Sequence, residues 1–107
     1  MAVFVDTMKA PYKPAHAPGR TYVMSHMIAD SEEELHAMAE KIGVARRWFQ
    51  GDHYDITQSR KALAVKYGAQ LISLRQLSVM AMNRRRGKPL GTPEEAQAII
   101  EARVKFL

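Results

Sequence analysis

Three helix-start signals divide this chain into alternating strand-like and helix-like pieces, and that alternation constrains its fold more than any other feature. Ser31-Glu-Glu-Glu34 is a capping box with extra acids in the first turn, and Ser73-Leu-Arg-Gln76 is a second. Thr92-Pro93-Glu94-Glu95 combines an N-cap, a proline at the first helical position and a glutamate at the third. After the first start, Leu35, Met38, Ala39 and Ile42 form an apolar stripe that Gly43 ends. After the third, Ala96, Ile99, Ile100, Val104 and Leu107 do the same. A further helix is expected over Gln58–Tyr67, capped by Asp55 or Thr57 and stopped by Gly68. Between these lie β-type runs at Val3-Phe-Val5, Thr21–Ile28 and Ala69–Ile72. Helix, glycine and strand in that order is half of a β-α-β unit, which favours parallel pairing. The expectation is a small single-domain α/β fold, with a short, mostly parallel three- or four-stranded sheet flanked by about four helices. Residues 1–77 would form the α/β part. Residues 78–107 would add a basic segment and a helical extension packed on the domain or on a partner.

The intervening stretches are irregular. Met8 to Arg20 contains Pro11, Pro14, Pro18 and Gly19, a spacing that predicts a long loop without a regular element. Val44 to Gln50 reads as a short strand or as an irregular approach to the segment that follows it.

Composition narrows the class. The chain has no cysteine, so disulfides, thiolate zinc sites and a cysteine nucleophile are excluded. No run approaches the roughly 18 apolar residues of a membrane span, and the first residues lack the basic region of a signal peptide. A cytoplasmic protein is expected. The net charge is +5 and uneven: residues 1–53 carry six Lys/Arg against seven Asp/Glu, and residues 54–107 carry ten against four. Arg84, Arg85, Arg86 and Lys88 concentrate the excess, and such a run can bind nucleic-acid phosphates or serve as a solvated helix end.

The segment Trp48–Arg60 holds the densest chemistry. In open α/β sheets ligands gather beyond the strand ends. Asp6 ends the first strand, His26 lies late in the second, and His53 and Asp55 precede a helix. These four residues can therefore meet. Two histidines and two carboxylates suit a divalent metal ion, with Asp6 and Asp55 as ligands or as histidine orienters, or acid–base catalysis by His53, His26 and Asp55. Arg20 and Arg60 would flank a phosphate-containing ligand, such as a nucleotide or nucleic acid, and Trp48 and Tyr54 would wall it. There is no phosphate-binding P-loop, dinucleotide glycine fingerprint, His-Glu-x-x-His or nucleophile elbow.

Taken together, Val3-Phe-Val-Asp6, Ser25-His26, Ala29-Asp30, Glu33-Glu-Leu-His36, Gly43, Trp48-Phe-Gln50, His53-Tyr-Asp55, Arg60, Ala64 and Gly68-Ala69 resemble the Domain of Unknown Function 4031 family of phage and bacterial proteins. The resemblance spans roughly residues 3–73, and the tail from about Ser78 lies outside it. It implies no activity. Its motif residues include Asp6, His26, His36, His53, Tyr54 and Asp55. The chain departs from the family pattern at Thr7, where a second aspartate often follows the first. A phage-type origin keeps a third role open beside enzyme and nucleotide- or nucleic-acid-binding module: an inhibitor or adaptor whose methionine-rich C-terminal helices contact a protein partner or form a homodimer.

Overall fold

The computed structural model describes residues 2–105. Leu107, placed on the last apolar stripe by its spacing, lies outside the described residues. In chain order the elements are β1 (Val3–Asp6), β2 (Ala10–Tyr12), β3 (Tyr22–Ala29), α1 (Glu32–Lys41), a 3-10 turn (Arg46–Trp48), β4 (Tyr54–Thr57), α2 (Gln58–Lys66), β5 (Gln70–Ile72), α3 (Leu74–Arg85) and α4 (Pro93–Val104). The three helix-start signals act as read: Ser31, Ser73 and Thr92 each accept a backbone hydrogen bond from the third helical residue, and Ser73 forms the full reciprocal box with Gln76.

The sheet differs from the expectation. Among the described residues it has five strands and is mixed rather than mostly parallel: β1 pairs antiparallel with β3, as do β2 and β4, and only β5 pairs parallel, with β1. The reason is the length of β3. Its eight residues outrun β1, and the backbone groups left over must find partners. β2 fills the rest of one edge and β4 takes the other. The helix–glycine–strand pattern does carry a parallel strand, but β5 joins β1 and not the strand that precedes the helix. Two stretches outside the expected strands are therefore strands. Pro11 sits in β2, where only one side of the strand is paired and a missing N–H is tolerated. Tyr54-Asp55 lies in β4, so Asp55 is not a helix cap, and Thr57 holds the cap position of α2. Val44–Gln50 takes the irregular path, through the 3-10 turn.

Side chains alternate across the sheet and fill two cores. Val3, Val5, Met27, Ala29, Tyr54 and Ile56 pack against Leu35, Met38, Ala39 and Ile42 of the α1 segment and Ala64 of α2. On the other face Phe4, Ile28 and Ile72 meet Leu77 and Met80 of α3, Leu90, and Ala96 of α4. By the same alternation Asp6, His26 and Asp55 point to the second face, alongside α3.

The candidate metal-binding group

The site grows out of a fault in the sheet. β1 pairs Val5 with Met27, and β2 resumes with Ala10 opposite Met24. Residues 6–9 thus stand against only Ser25 and His26, and the ladder bulges there. Side chains satisfy the interrupted backbone. The fully buried Asp6 carboxylate accepts from the amides of His26 (3.1 Å) and Met8 (3.2 Å) through Oδ1, and the Ser25 hydroxyl donates to the Met8 carbonyl at 2.6 Å.

Asp6 Oδ2 also accepts from His26 Nδ1 at 2.8 Å. A carboxylate only accepts, so the proton of a neutral His26 ring lies on Nδ1 and its Nε2 presents a lone pair. That nitrogen faces Asp55, the cross-strand partner of His26 in β4, with 3.7 Å between Nε2 and Asp55 Oδ1. His53 repeats the arrangement from the other side. Its Nδ1 donates to Asp52 Oδ1 at 2.6 Å, and its Nε2 lies 3.4 Å from the same Asp55 Oδ1. The two rings meet edge to face with centroids 5.4 Å apart. Gln50 donates to the other oxygen of Asp55 at 2.8 Å, while buried Oδ1 has no hydrogen-bond partner among the described residues. One ligand atom from each of His26, His53 and Asp55 therefore lies within 4.8 Å of the others.

Electrostatics follow from these contacts. The Asp6 hydrogen bond raises the His26 pKa above its ordinary 6.5; Asp55 adds to this, while partial burial and Arg85 oppose it. Burial pushes the Asp52 carboxyl up, but hydrogen bonds from Arg85 and His53 outweigh it and the net shift is downward. Arg85, at the end of α3, donates from Nε to Asp52 Oδ2 at 2.7 Å and so joins the C-terminal half of the chain to the site.

The residues expected at the site divide as follows. His26, His53 and Asp55 are brought together. Asp6 stands behind His26 as its orienter, outside the converging set. Tyr54 lies on the opposite face, fully buried, with its hydroxyl 2.7 Å from His36 Nδ1. Arg60 donates to the Ile42 carbonyl at 2.7 Å, and its guanidinium lies so close to Gly43 that a Cβ there would come within 2.9 Å. Arg20 is exposed in the loop before β3. In the basic run, Arg84 donates to the carbonyls of Ala29 and Asp30 and Arg85 to Asp52, whereas Arg86 and Lys88 are exposed. Asp52 and Gln50 were not expected at the site, although Gln50 is among the residues that carry the family resemblance. Their signal was available: each lies within three residues of His53.

Beside the group lies a cavity of about 740 Å³ that shares Asp55 and Gln50 with it. Tyr12, Tyr22, Trp48, Arg47, Arg60 and His16 contribute to its walls.

A family model described as Protein of unknown function (DUF4031) matches residues 3–85, most of the chain, and extends through α3 beyond the stretch that carried the resemblance. No curated protein and no solved structure matches. Among the described residues, no helix is long and apolar enough to cross a membrane.

Proposed function

The chain belongs to the family of proteins of unknown function DUF4031, and we propose that its His26, His53 and Asp55 bind a divalent metal ion that acts on a phosphate-containing ligand. The observation that carries this reading is the convergence of three acceptor atoms with no donor between them. Asp6 and Asp52 hold the protons of His26 and His53 on Nδ1, so both Nε2 lone pairs and the unpartnered Asp55 Oδ1 aim at one place. With both rings neutral such an arrangement is repulsive, and a cation at its centre, like a proton on His26 Nε2, makes it favourable. Carboxylates behind ligating histidines raise their basicity and fix their tautomers.

Two histidines and one carboxylate suit a borderline ion such as Zn²⁺, Mn²⁺ or Fe²⁺ and leave coordination positions open. Bound there, the ion would supply Lewis-acid chemistry, activating water and polarising a phosphoryl oxygen. Asp6, Asp52 and Gln50 would hold the ligands in place. Arg47 and Arg60 on the neighbouring cavity favour an anionic ligand, although Arg60 already donates to the Ile42 carbonyl. Catalysis by His26, His53 and Asp55 would then be work done as ligands. The alternative, a nucleic-acid module built on Arg84–Lys88, is weakened because Arg84 and Arg85 are held by acceptors within the chain.

The test is calorimetric titration of the apo protein with Zn²⁺ and Mn²⁺, followed by hydrolysis of bis(4-nitrophenyl) phosphate. One equivalent should bind, and at 100 times the dissociation constant the ion should add about 2.7 kcal/mol of stability. His53→Ala and Asp55→Ala should each abolish both signals. No uptake by the parent overturns the reading, and uptake without hydrolysis removes its catalytic half.

A further inference from the structure

We infer that the cavity beside the metal-binding group takes a nucleotide, with its base on Trp48 and its phosphate directed toward Asp55 and the histidines. The placement of the phosphate rests on the metal reading above; the stacking of the base does not.

Size comes first. About 740 Å³ falls within the range of small-molecule sites, roughly 300–1,000 Å³, and is ample for a nucleotide. The walls then narrow the chemistry. Trp48, the single tryptophan of the chain, lines the cavity and is 54% exposed. Tyr12, which also lines the cavity, is 50% exposed, and Tyr22 is a third aromatic in the lining. Leaving large aromatic faces in water forgoes the burial that normally stabilises them, so these rings are open to a planar partner. The Arg47 guanidinium lies 5.4 Å from the centre of the indole ring and adds a cation to the same platform.

Charge completes the argument. Arg47, Arg60 and His16 line the cavity, and Asp55 is the only acidic residue among its described lining. Asp55 Oδ1 already belongs to the converging set at the cavity's edge. An aromatic ligand without charge would leave the two arginines without a counter-charge, and a bare phosphate would leave the rings uncovered. A base joined to a phosphate answers both. Base–aromatic stacking is indifferent to which base is present, so the surface suits the class and not one member of it. That chemistry is found in a free mononucleotide and at the end of a single strand.

Trp48 is also the reporter. Its emission is followed while the apo and Zn²⁺-saturated protein are titrated with adenosine 5′-monophosphate, ribose 5-phosphate, and a short oligothymidylate. Adenosine monophosphate or the oligonucleotide should quench the emission saturably, and ribose 5-phosphate should bind at least tenfold more weakly. Tighter binding of the oligonucleotide identifies a strand as the source, and tighter binding of the monophosphate a free nucleotide. Trp48→Ala, followed by calorimetry, should weaken binding at least about fivefold. Equal affinity for ribose 5-phosphate, or parental affinity in Trp48→Ala, overturns the inference. Zn²⁺ uptake by a protein that takes neither nucleotide overturns it while the metal reading stands. Quenching that persists in a protein unable to take up Zn²⁺ supports the cavity and removes the metal.

Discussion

At the scale of single residues, Asp6 does two things at once. It closes the backbone of the bulge and it sets the tautomer of His26. Because the folded protein raises the His26 pKa above 6.5, protonating His26 favours the folded state. In the metal-free protein this contribution is fully present below the unfolded value, near pH 6.5, and is lost as pH rises through the higher folded value. Asp6→Asn should move the His26 titration downward, read from its ring resonances by NMR. An unmoved titration would show that Asp6 does not govern this histidine. Asp6→Ala goes further and strands two part-buried amides, at a cost of about 2 kcal/mol in urea unfolding. His26, Asp6, His53 and Asp55 were legible as a group from their residue types and positions. Asp52 was harder to nominate, since an aspartate beside a histidine in a glycine-bearing segment also reads as a turn residue.

At the scale of elements, β3 and β4 make the site and α3 braces it. β3 places His26 between Asp6 on one neighbouring strand and Asp55 on the other, a row across three strands. α3 contributes through its last turn, where Arg85 pairs with Asp52. An exposed ion pair of this kind is worth at most about 1 kcal/mol of stability, yet Asp52 orients a proposed ligand. Arg85→Ala should therefore leave the unfolding midpoint nearly unchanged while weakening Zn²⁺ binding by about tenfold, the lower end for a residue behind a metal ligand. Calorimetry on the variant checks this, and parental affinity would reduce Arg85 to a surface pair. The periodic and capped helices were readable because a helix states its limits locally. β2 and β4 were not. Each is three or four residues long, one contains a proline and the other follows a glycine-bearing turn. What makes them strands is the unpaired edge of β3, which no local pattern records.

At the scale of the whole molecule, the sheet is covered on both faces. α1 and α2 lie over one, and α3 with Leu90 and α4 over the other. The segment beyond residue 77 thus contributes Met80, Leu90 and Ala96 to a core shared with Phe4 and Ile28. Met80 is fully buried there, so Met80→Ala should destabilise by about 2–5 kcal/mol in urea unfolding. If the midpoint moved by less than that of an exposed substitution, the C-terminal helices would not belong to the folding unit.

The sequence by itself determined the α/β class, three helix starts with their caps, and the histidines and aspartates from which a site could be built. Those features depend on neighbours three or four residues away, where spacing and side-chain chemistry suffice. Tertiary structure decided the strand directions, the strand status of β2 and β4, and the burial of Tyr54 on the face opposite His26. It also tied Arg84 to the Ala29 and Asp30 carbonyls and the exposed Arg85 to Asp52. These outcomes depend on which backbone edge is left unpaired and which carboxylate is within reach after the chain has folded, and both are set by contacts between residues far apart in the chain.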